Sequence, residues 1–279
     1  MIHKQVHALC SLPRSGSTLM CNVLNSHPRF HASDTSRVAM TVHGLNAAMT
    51  HSEEFKSELA KGEVTHQRLR EAARGFVQGW YSVRDEPVIF DKDRSNAWMF
   101  QHDVFRHLFP EGKMIVMVRD PREVLSSILR QQAVDPMIRS SAELGRRTVH
   151  SIADNLFQPS GLVGSAILAV ENLLRLGHTP GSDVDDYILV VQYEKFVARP
   201  QAVLELIHKE LGEEPFEYNV DSVERVSQDR DERYLGLYPH EGFGKIEFRE
   251  PTWPKIVPAD VAQAVVRRYP LFAETFQYK

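Results

Sequence analysis

Residues 12–18 read Leu-Pro-Arg-Ser-Gly-Ser-Thr, and they stand between an apolar run at 6–10 and a helical run at 19–24. Gly16 lets main-chain N–H groups come close to an anion, and the start of the helix adds a favourable dipole. Ser17 and Thr18 add hydroxyl donors, and Arg14 brings a planar positive charge to the same place. This stretch therefore predicts a strand–loop–helix cradle for an anion.

Two other interpretations of the loop remain open at this point. A Walker A loop, the phosphate loop of many kinases, carries a lysine after its second glycine, and here Ser17 occupies that place. The plainer interpretation is a helix start with an incidental arginine, because serine and threonine commonly cap helices.

Short apolar runs alternate with helical patterns along the chain. The runs that suit buried strands are 6–10, 88–90, 114–118 and 188–191, and the segments with helical spacing are 65–80, 123–130, 162–176 and 201–211. Strands separated by helices are typical of βαβ units. The sequence therefore predicts an α/β fold with a parallel sheet covered on both faces. Ligands of such sheets bind at the carboxyl ends of the strands.

Two further strand ends bring cations to the same edge. Lys92 follows the second predicted strand, and Arg119 follows the third, with Ser127 eight residues later in a helix. The plainer alternatives are a solvated turn around Lys92 and an ion pair of Arg119 with Asp91 or Asp120. Three strand ends that each supply a cation predict a dense anion site.

The composition is that of an ordinary globular protein, with 42% hydrophobic and 25% charged residues. A net charge of -4 argues against nucleic acid as a partner held by bulk charge. No stretch has the length and apolarity of a membrane span or a secretory signal. The two cysteines, Cys10 and Cys21, are too few for a disulfide framework and lack metal-ligand spacing. We expect a cytoplasmic protein without a metal and without a membrane or nucleic-acid partner.

Together these motifs resemble those of the sulfotransferases that use 3′-phosphoadenosine 5′-phosphosulfate (PAPS). Residues 13–18 resemble the family's 5′-phosphosulfate loop, and residues 118–127 resemble its 3′-phosphate motif, with the same Arg-to-Ser spacing. Residues 191–200 resemble a strand-to-helix segment whose tyrosine lies near the adenine. The resemblance implies a P-loop-like three-layer fold with a central, mainly parallel sheet flanked by helices. The donor-binding residues that it implies are Arg14, Ser15, Gly16, Ser17, Thr18, Arg119, Ser127 and Tyr193.

Within the superfamily, the chain is most similar to the tyrosylprotein-sulfotransferase branch. The cytosolic steroid and phenol branch has a histidine two residues after its strand-end lysine, where this chain has Arg94. The tyrosylprotein branch has a Lys-Asp pair, matched here by Lys92 and Asp93. It also has a carboxylate base in a segment that residues 27–37 resemble.

That segment implies Asp34 as the base that takes the acceptor's proton. An ungapped alignment places Thr35 opposite the family's base, but threonine cannot act as a base at neutral pH. Asp34 is the one carboxylate within residues 16–52, and His31 is the second choice. The alternative is that Asp34 caps a helix that begins near Ser36.

The segment Val223-Glu224-Arg225 resembles one whose next serine touches the sulfuryl group, and here Ser227 comes one place later. The catalytic residues implied are therefore Arg14, Asp34, Lys92 and Ser227. The implied reaction moves a sulfuryl group from PAPS to a hydroxyl by in-line displacement, without a metal. The alternatives are a P-loop-type kinase of small molecules, which needs Mg²⁺ and a Walker lysine, and a non-catalytic nucleotide-binding protein.

The acceptor is less clearly indicated than the donor. Segments within about 40–80, 135–161 and 229–255 carry no motif, and we expect them to form the acceptor pocket and lid of a single domain, 1–279. The expected acceptor is a small-molecule, peptide or glycan hydroxyl. The sequence does not indicate an oligomeric state.

Overall fold

The computed structural model describes residues 3–62, 65–94, 104–134, 148–177, 184–226 and 243–279. Its strands are β1 (Gln5–Ser11), β2 (Phe30–Thr35), β3 (Val88–Arg94), β4 (Met114–Val118) and β5 (Ile188–Gln192). They form a five-stranded sheet in the order β2-β3-β1-β4-β5, and every neighbouring pair is parallel. The predicted α/β class is therefore confirmed.

Helices connect the strands. In the described part of the chain they are α1 (Ser17–Leu24), α2 (Val38–His51), α3 (Glu53–Lys61), α4 (His66–Trp80), α5 (Pro121–Val134), α6 (Val149–Phe157), α7 (Leu162–Gly177), α8 (Val184–Tyr187), α9 (Tyr193–Ala198), α10 (Pro200–Leu211), α11 (Ala259–Arg267) and α12 (Pro270–Thr275). Residues 104–108 are also helical. Short 3₁₀ turns occur at Tyr81–Val83 and Trp253–Lys255.

The sheet is buried on both faces. In β1, Ala8 and Cys10 lie in the core shared with α5, α7 and α11, whereas Leu9 lies in the core shared with α1 and α10. Successive side chains of a strand point to opposite faces, so a strand covered on both sides needs an unbroken apolar run. This explains why β1 and β4 are evident in the sequence.

Two strands differ from the prediction. β3 continues to Arg94, so Asp91, Lys92 and Asp93 lie within a strand and not in a turn after it. β2 is not predicted, because it is a polar strand at the edge of the described sheet and pairs only with β3.

β1 occupies the centre of the sheet, with β3 on one side and β4 on the other. The chain leaves β1 through residues 12–16 and enters α1. In open parallel sheets, the crevice beyond the carboxyl ends is where ligands bind. The fold therefore places the predicted anion loop between the ends of β3 and β4.

Candidate functional site

The loop after β1 is held in a curled conformation by two residues with positive φ. Arg14 has φ 62° and Gly16 has φ 86°, and the Ser15 hydroxyl donates to the Leu12 carbonyl oxygen at 2.7 Å. Gly16 is the N-cap of α1, and no side chain among the described residues caps this helix start. Ser17 is instead the first helical residue. The interpretation of the loop as a serine or threonine N-cap is therefore wrong.

Gly16 is in close contact with Tyr193, the first residue of α9. A Cβ added to Gly16 would lie 2.5 Å from Cδ2 of the Tyr193 ring, so the loop needs glycine here for space as well as for its φ. The guanidinium carbon of Arg119 lies 4.2 Å from the centroid of the same ring. Tyr193 thus joins the loop after β1 to the residue that follows β4.

Arg119 connects the end of β4 to the loop. Its Nη1 donates to the Arg14 carbonyl oxygen at 3.0 Å, and its Nη2 pairs with Glu123 at 3.3 Å. The Arg119 Nε is buried and finds no hydrogen-bond partner within the part of the chain that the structure describes. Arg14 Nε in turn donates to the Ser127 hydroxyl at 3.2 Å. The structure therefore brings Arg14, Arg119 and Ser127 together.

The alternative interpretation, an ion pair of Arg119 with Asp91 or Asp120, is wrong. Asp120 pairs with Arg122 at 2.7 Å and accepts the Arg122 main-chain N–H at 2.8 Å, as an N-cap residue of α5 does. Asp91 lies on β3, where the Tyr81 hydroxyl donates to it. Arg119 instead pairs with Glu123 and donates to the Arg14 carbonyl oxygen of the loop.

Lys92 is fully buried, with none of its surface exposed, so the solvated-turn interpretation is also wrong. Its neighbours in register are Leu9 of β1 and Thr35 of β2. Alternation along β3 places Lys92 on the same sheet face as Phe90, which packs in the core that includes α1. Lys92 and α1, the helix that follows the anion loop, therefore lie on the same side of the sheet.

Asp34 lies near the end of β2, at a bulge. The β2–β3 register shifts between Ala32 and Thr35, so Ser33 and Asp34 together take the space of one residue. The Ser33 hydroxyl accepts the main-chain N–H of Lys92 at 2.9 Å. Asp34 therefore lies in the bulge directly after Ser33, the residue whose hydroxyl is bonded to the Lys92 main chain.

Asp34 is not a helix cap. α2 begins at Val38, and its first main-chain N–H donates to the Ser36 hydroxyl at 3.1 Å. The Ser36 N–H donates to the Lys92 carbonyl oxygen at 2.7 Å and continues the contact between β2 and β3. The alternative role that the sequence left open for Asp34 is therefore wrong.

A buried polar cluster lies beside this bulge. The Tyr81 hydroxyl donates to Asp91 and also hydrogen-bonds to Ser33 and Ser36. Burial raises the pKa of Tyr81 well above its usual value, and the charge of Asp91 adds to this. Burial also lowers the pKa of His31, the second candidate base, with Arg84 contributing. Sequence reasoning assigned no role to Ser33 or Tyr81, because their contacts with Lys92 and Asp91 are made with a strand far away in the chain.

Glu194, the residue after Tyr193, anchors α9. One carboxylate oxygen accepts the Asp120 main-chain N–H at 2.9 Å, and the other accepts from the Tyr278 hydroxyl at 3.1 Å. These contacts fix the start of α9 against the end of β4 and the C-terminal residues. They therefore hold Tyr193 in place beside Gly16.

Ser227 lies outside the described residues, as do parts of the expected acceptor segments at 135–147 and 229–242. Val226, just before Ser227, donates its main-chain N–H to Asn22 of α1 at 3.1 Å. Among the described residues, no cluster of three or more His, Cys, Asp or Glu side chains could hold a metal. None of the described helices is long and apolar enough to cross a membrane.

A parallel α/β sheet whose first strand leads into an anion loop, with cations at the neighbouring strand ends, defines a P-loop-like nucleotide-binding class. The model of the sulfotransferase family matches residues 8–218, which include the described site residues from Arg14 to Tyr193. The chain therefore belongs to the sulfotransferase family. The resemblance predicted from the motifs is confirmed.

Curated relatives cover the same branch that the sequence indicated. Protein-tyrosine sulfotransferase 2 of Gallus gallus is 28% identical over 121 residues, which are 43% of this chain and 33% of the relative. Protein-tyrosine sulfotransferase 1 of Homo sapiens is 27% identical over 121 residues, with the same coverage. The matched segment thus spans about a third of the length of these relatives.

Solved structures confirm the fold. The sulfotransferase domain of the Synechococcus PCC 7002 olefin synthase has a TM-score of 0.53 and 22% identity, over 100% of this chain and 97% of that chain. Mouse sulfotransferase SULT7A1, complexed with PAP (3′-phosphoadenosine 5′-phosphate), has a TM-score of 0.52 and 12% identity, over 99% of this chain and 86% of that chain.

Proposed function

We propose that the protein transfers the sulfuryl group of PAPS to a hydroxyl acceptor. The observation that carries this proposal is the direct connection of two anion-binding groups, the loop around Gly16 and the pair Arg119 and Ser127. Arg14 bonds to Ser127, and Arg119 bonds to the Arg14 main chain. A family of PAPS-using enzymes needs two such groups, because PAPS carries phosphates at both its 5′- and 3′-positions.

The residues present fit such a nucleotide. The curled loop and the uncapped start of α1 suit the 5′-phosphosulfate, because main-chain N–H groups and a helix dipole attract anions. Arg119 and Ser127 suit the 3′-phosphate. The buried Arg119 Nε, which has no partner in the described chain, is a donor that a ligand oxygen would satisfy. Tyr193 lies between these two groups, where the family places the adenine.

In the proposed reaction, bound PAPS supplies the sulfuryl group and a phosphate leaving group. Arg14 and Lys92 hold positive charge beside the loop and stabilise the negative charge that develops as transfer proceeds. Burial of Lys92 strengthens this effect, because a charge acts more strongly away from water. Cationic side chains thus supply the charge stabilisation that a Mg²⁺ ion supplies in kinases.

Asp34 is the proposed general base. It follows Ser33, which is bonded to the Lys92 main chain, so the base and the leaving-group cation come from neighbouring strands. A base must lie within hydrogen-bond reach of the proton that it removes. Ser227 is proposed to contact the sulfuryl group, although it stands one place later than the serine of the family segment.

The proposed acceptor is the hydroxyl of a small molecule, a peptide or a glycan. Helices α2–α4 bury few residues: α3 buries none and α4 buries only Val77. This exposed layer follows directly after β2, which carries Asp34. The relatives named protein-tyrosine sulfotransferases make tyrosine-containing peptides the first acceptors to test.

The proposal is tested first by ligand binding. Thermal unfolding is followed with 3′-phosphoadenosine 5′-phosphate (PAP), and with ADP in the presence and absence of Mg²⁺. We expect PAP to raise the midpoint temperature and ADP to raise it much less. A response to ADP that depends on Mg²⁺ would instead support a kinase.

Transfer is then measured with labelled PAPS against tyrosine peptides, phenols and glycans. Label in any acceptor supports the proposal. PAP binding without label transfer to an acceptor in this panel or in a cell extract supports the non-catalytic alternative.

A further inference from the structure

Glu123 is a buried carboxylate in the first turn of α5, only 7% exposed, that no sequence motif singled out. Its Oε2 pairs with Arg119 Nη2 at 3.3 Å. Its Oε1 accepts the main-chain N–H groups of Thr252 at 2.5 Å and Trp253 at 2.7 Å. Glu123 therefore contacts the strand-end arginine on one side and a distant segment on the other.

That segment begins the 3₁₀ turn Trp253–Lys255, whose N-cap residue is Thr252. The turn has no side-chain cap of its own, so the Glu123 carboxylate satisfies its first N–H groups. Further contacts hold the same turn to α5. The Ser126 hydroxyl oxygen lies 3.0 Å from the Thr252 hydroxyl oxygen, and the guanidinium carbon of Arg122 lies 4.5 Å from the Trp253 ring centroid.

We propose that Glu123 is a positioning residue that orients Arg119 toward the 3′-phosphate of the donor and couples this phosphate to the Thr252–Trp253 turn. This inference rests on the proposed function, in which Arg119 binds that phosphate. Arg119 is held on three sides, by the Tyr193 ring, by the Arg14 carbonyl oxygen and by Glu123. A guanidinium fixed in this way loses less freedom when it binds a phosphate.

A glutamine in place of Glu123 cannot keep both sets of contacts. Glutamine has one acceptor oxygen and one NH₂ donor group. If the oxygen stays with the Thr252 and Trp253 N–H groups, the NH₂ group faces the Arg119 guanidinium, and two donors repel each other. Glu123→Gln should therefore displace Arg119 while it keeps the volume of the side chain.

A matched control exists elsewhere in the fold. Glu171 of α7 is also buried, pairs with Arg175 one helical turn later at 3.3 Å, and accepts the Phe272 main-chain N–H at 3.0 Å. None of these groups belongs to the proposed nucleotide site. Glu171→Gln thus removes the same type of carboxylate without a change at Arg119.

The experiment compares the affinities of the full chain for PAP and for adenosine 5′-monophosphate, which differ by the 3′-phosphate. Isothermal titration calorimetry is done on the wild type, Glu123→Gln, Glu171→Gln and Arg119→Ala. We expect Glu123→Gln to reduce the preference for PAP by about ten-fold or more, because a charge-assisted bond is weakened. Arg119→Ala should abolish this preference, and Glu171→Gln should leave it unchanged.

Each outcome separates the inference from the proposed function. If the wild type binds both nucleotides equally, the proposed function is wrong. Suppose instead that the wild type prefers PAP. If Glu123→Gln keeps that preference, or weakens the binding of both nucleotides by the same factor, the positioning role of Glu123 is wrong.

A second measurement needs no variant. Within residues 251–254, only Thr252 and Trp253 carry a main-chain N–H, because their neighbours are prolines. Amide hydrogen exchange of this peptide in the wild type should slow with PAP by several-fold more than with adenosine 5′-monophosphate. Equal exchange with the two nucleotides would overturn the coupling, even if Glu123→Gln failed to fold.

Discussion

At Gly16 the anion loop has no room for a side chain. The φ of 86° at this residue favours glycine, and the Tyr193 ring leaves no space for a Cβ. Gly62 has a similar φ of 76°, but no atom lies within 4 Å of its Cβ position. The two glycines therefore differ in crowding and not in backbone conformation.

We predict that Gly16→Ala weakens PAP binding by at least ten-fold, because the new methyl group pushes Tyr193 away from the loop. Gly62→Ala should cost only the backbone strain of about 1–2 kcal/mol of unfolding free energy and leave PAP binding unchanged. Urea unfolding and calorimetric titration measure both variants. Equal losses of stability with unaltered PAP affinity would show that the contact with Tyr193 is unimportant.

Asp34→Asn tests the proposed base. Asparagine keeps the shape of the side chain but cannot accept a proton, so we expect near-normal stability and a loss in kcat of about 10²-fold or more. The rate is measured as transfer of labelled sulfate to an acceptor found in the panel. A folded variant that retains most of its kcat would shift attention to His31 or Asp93.

The single residues that sequence reasoning found are those at strand ends. Arg14 and Arg119 follow apolar runs, and a parallel sheet brings its strand ends to one edge. Ser33 and Glu123 were not found, because their roles depend on partners far away in the chain, Lys92 and the Thr252–Trp253 turn. Such contacts leave no local pattern.

At the scale of elements, the bulge in β2 connects the strand that carries Asp34 with β3, the strand that carries Lys92. The Ser33 hydroxyl accepts the Lys92 main-chain N–H, so a side chain provides the bond at the point where the register shifts. Without that hydroxyl, the Lys92 N–H has no such acceptor, and the bulge loosens.

We predict that Ser33→Ala lowers kcat by about ten-fold with little change in PAP affinity, because it misplaces Asp34 and leaves the nucleotide loop intact. Residues that act as a unit show non-additive losses. The double variant with Asp34→Asn should therefore be no slower than Asp34→Asn alone. Multiplied losses in the double variant would show that Ser33 does not act through Asp34.

The element boundaries show where pattern reading works. β4 was predicted with its observed ends, because all five of its residues are apolar and buried. β3 was predicted too short, because buried Asp91, Lys92 and Asp93 resemble a solvent-exposed turn when only their polarity is considered. β2 was missed for the same reason. Its polar groups contact β3 and Tyr81, which composition cannot indicate.

At the scale of the whole molecule, His7 couples stability to pH. Burial, with a smaller effect of Lys113, lowers the pKa of His7 to about 3. In the unfolded chain His7 has an ordinary pKa near 6.5. Between pH 6.5 and about 3, the unfolded chain therefore binds a proton at His7 that the folded protein does not bind. His7 makes its full contribution to stability above pH 6.5 and loses it progressively as the pH falls toward 3.

We predict that the unfolding free energy of the wild type falls more steeply with decreasing pH than that of His7→Asn. One proton corresponds to a slope difference of about 1.4 kcal/mol per pH unit below pH 6.5. Urea unfolding of both proteins at several values between pH 5 and 7 measures this difference. Parallel slopes would mean that His7 titrates normally in the folded protein.

The expected cytoplasmic location, the single-domain boundary and the acceptor surface remain predictions at this scale. Fractionation of cells that express the full-length protein measures the first directly.

The central position of β1 determines when the nucleotide site can form during synthesis. Gln5 pairs with Val88 and Ala8 pairs with Met114, so β1 has neither of its neighbouring strands until β3 and β4, which come much later in the chain, have been synthesised. The loop after β1 then also needs Tyr193, which follows β5. Long-range contacts of this kind form slowly, because the intervening chain must first be ordered. A nascent chain that ends before Tyr193 thus has the residues of the loop after β1 but not its surroundings, and the proposed nucleotide site forms only after Tyr193 has been synthesised.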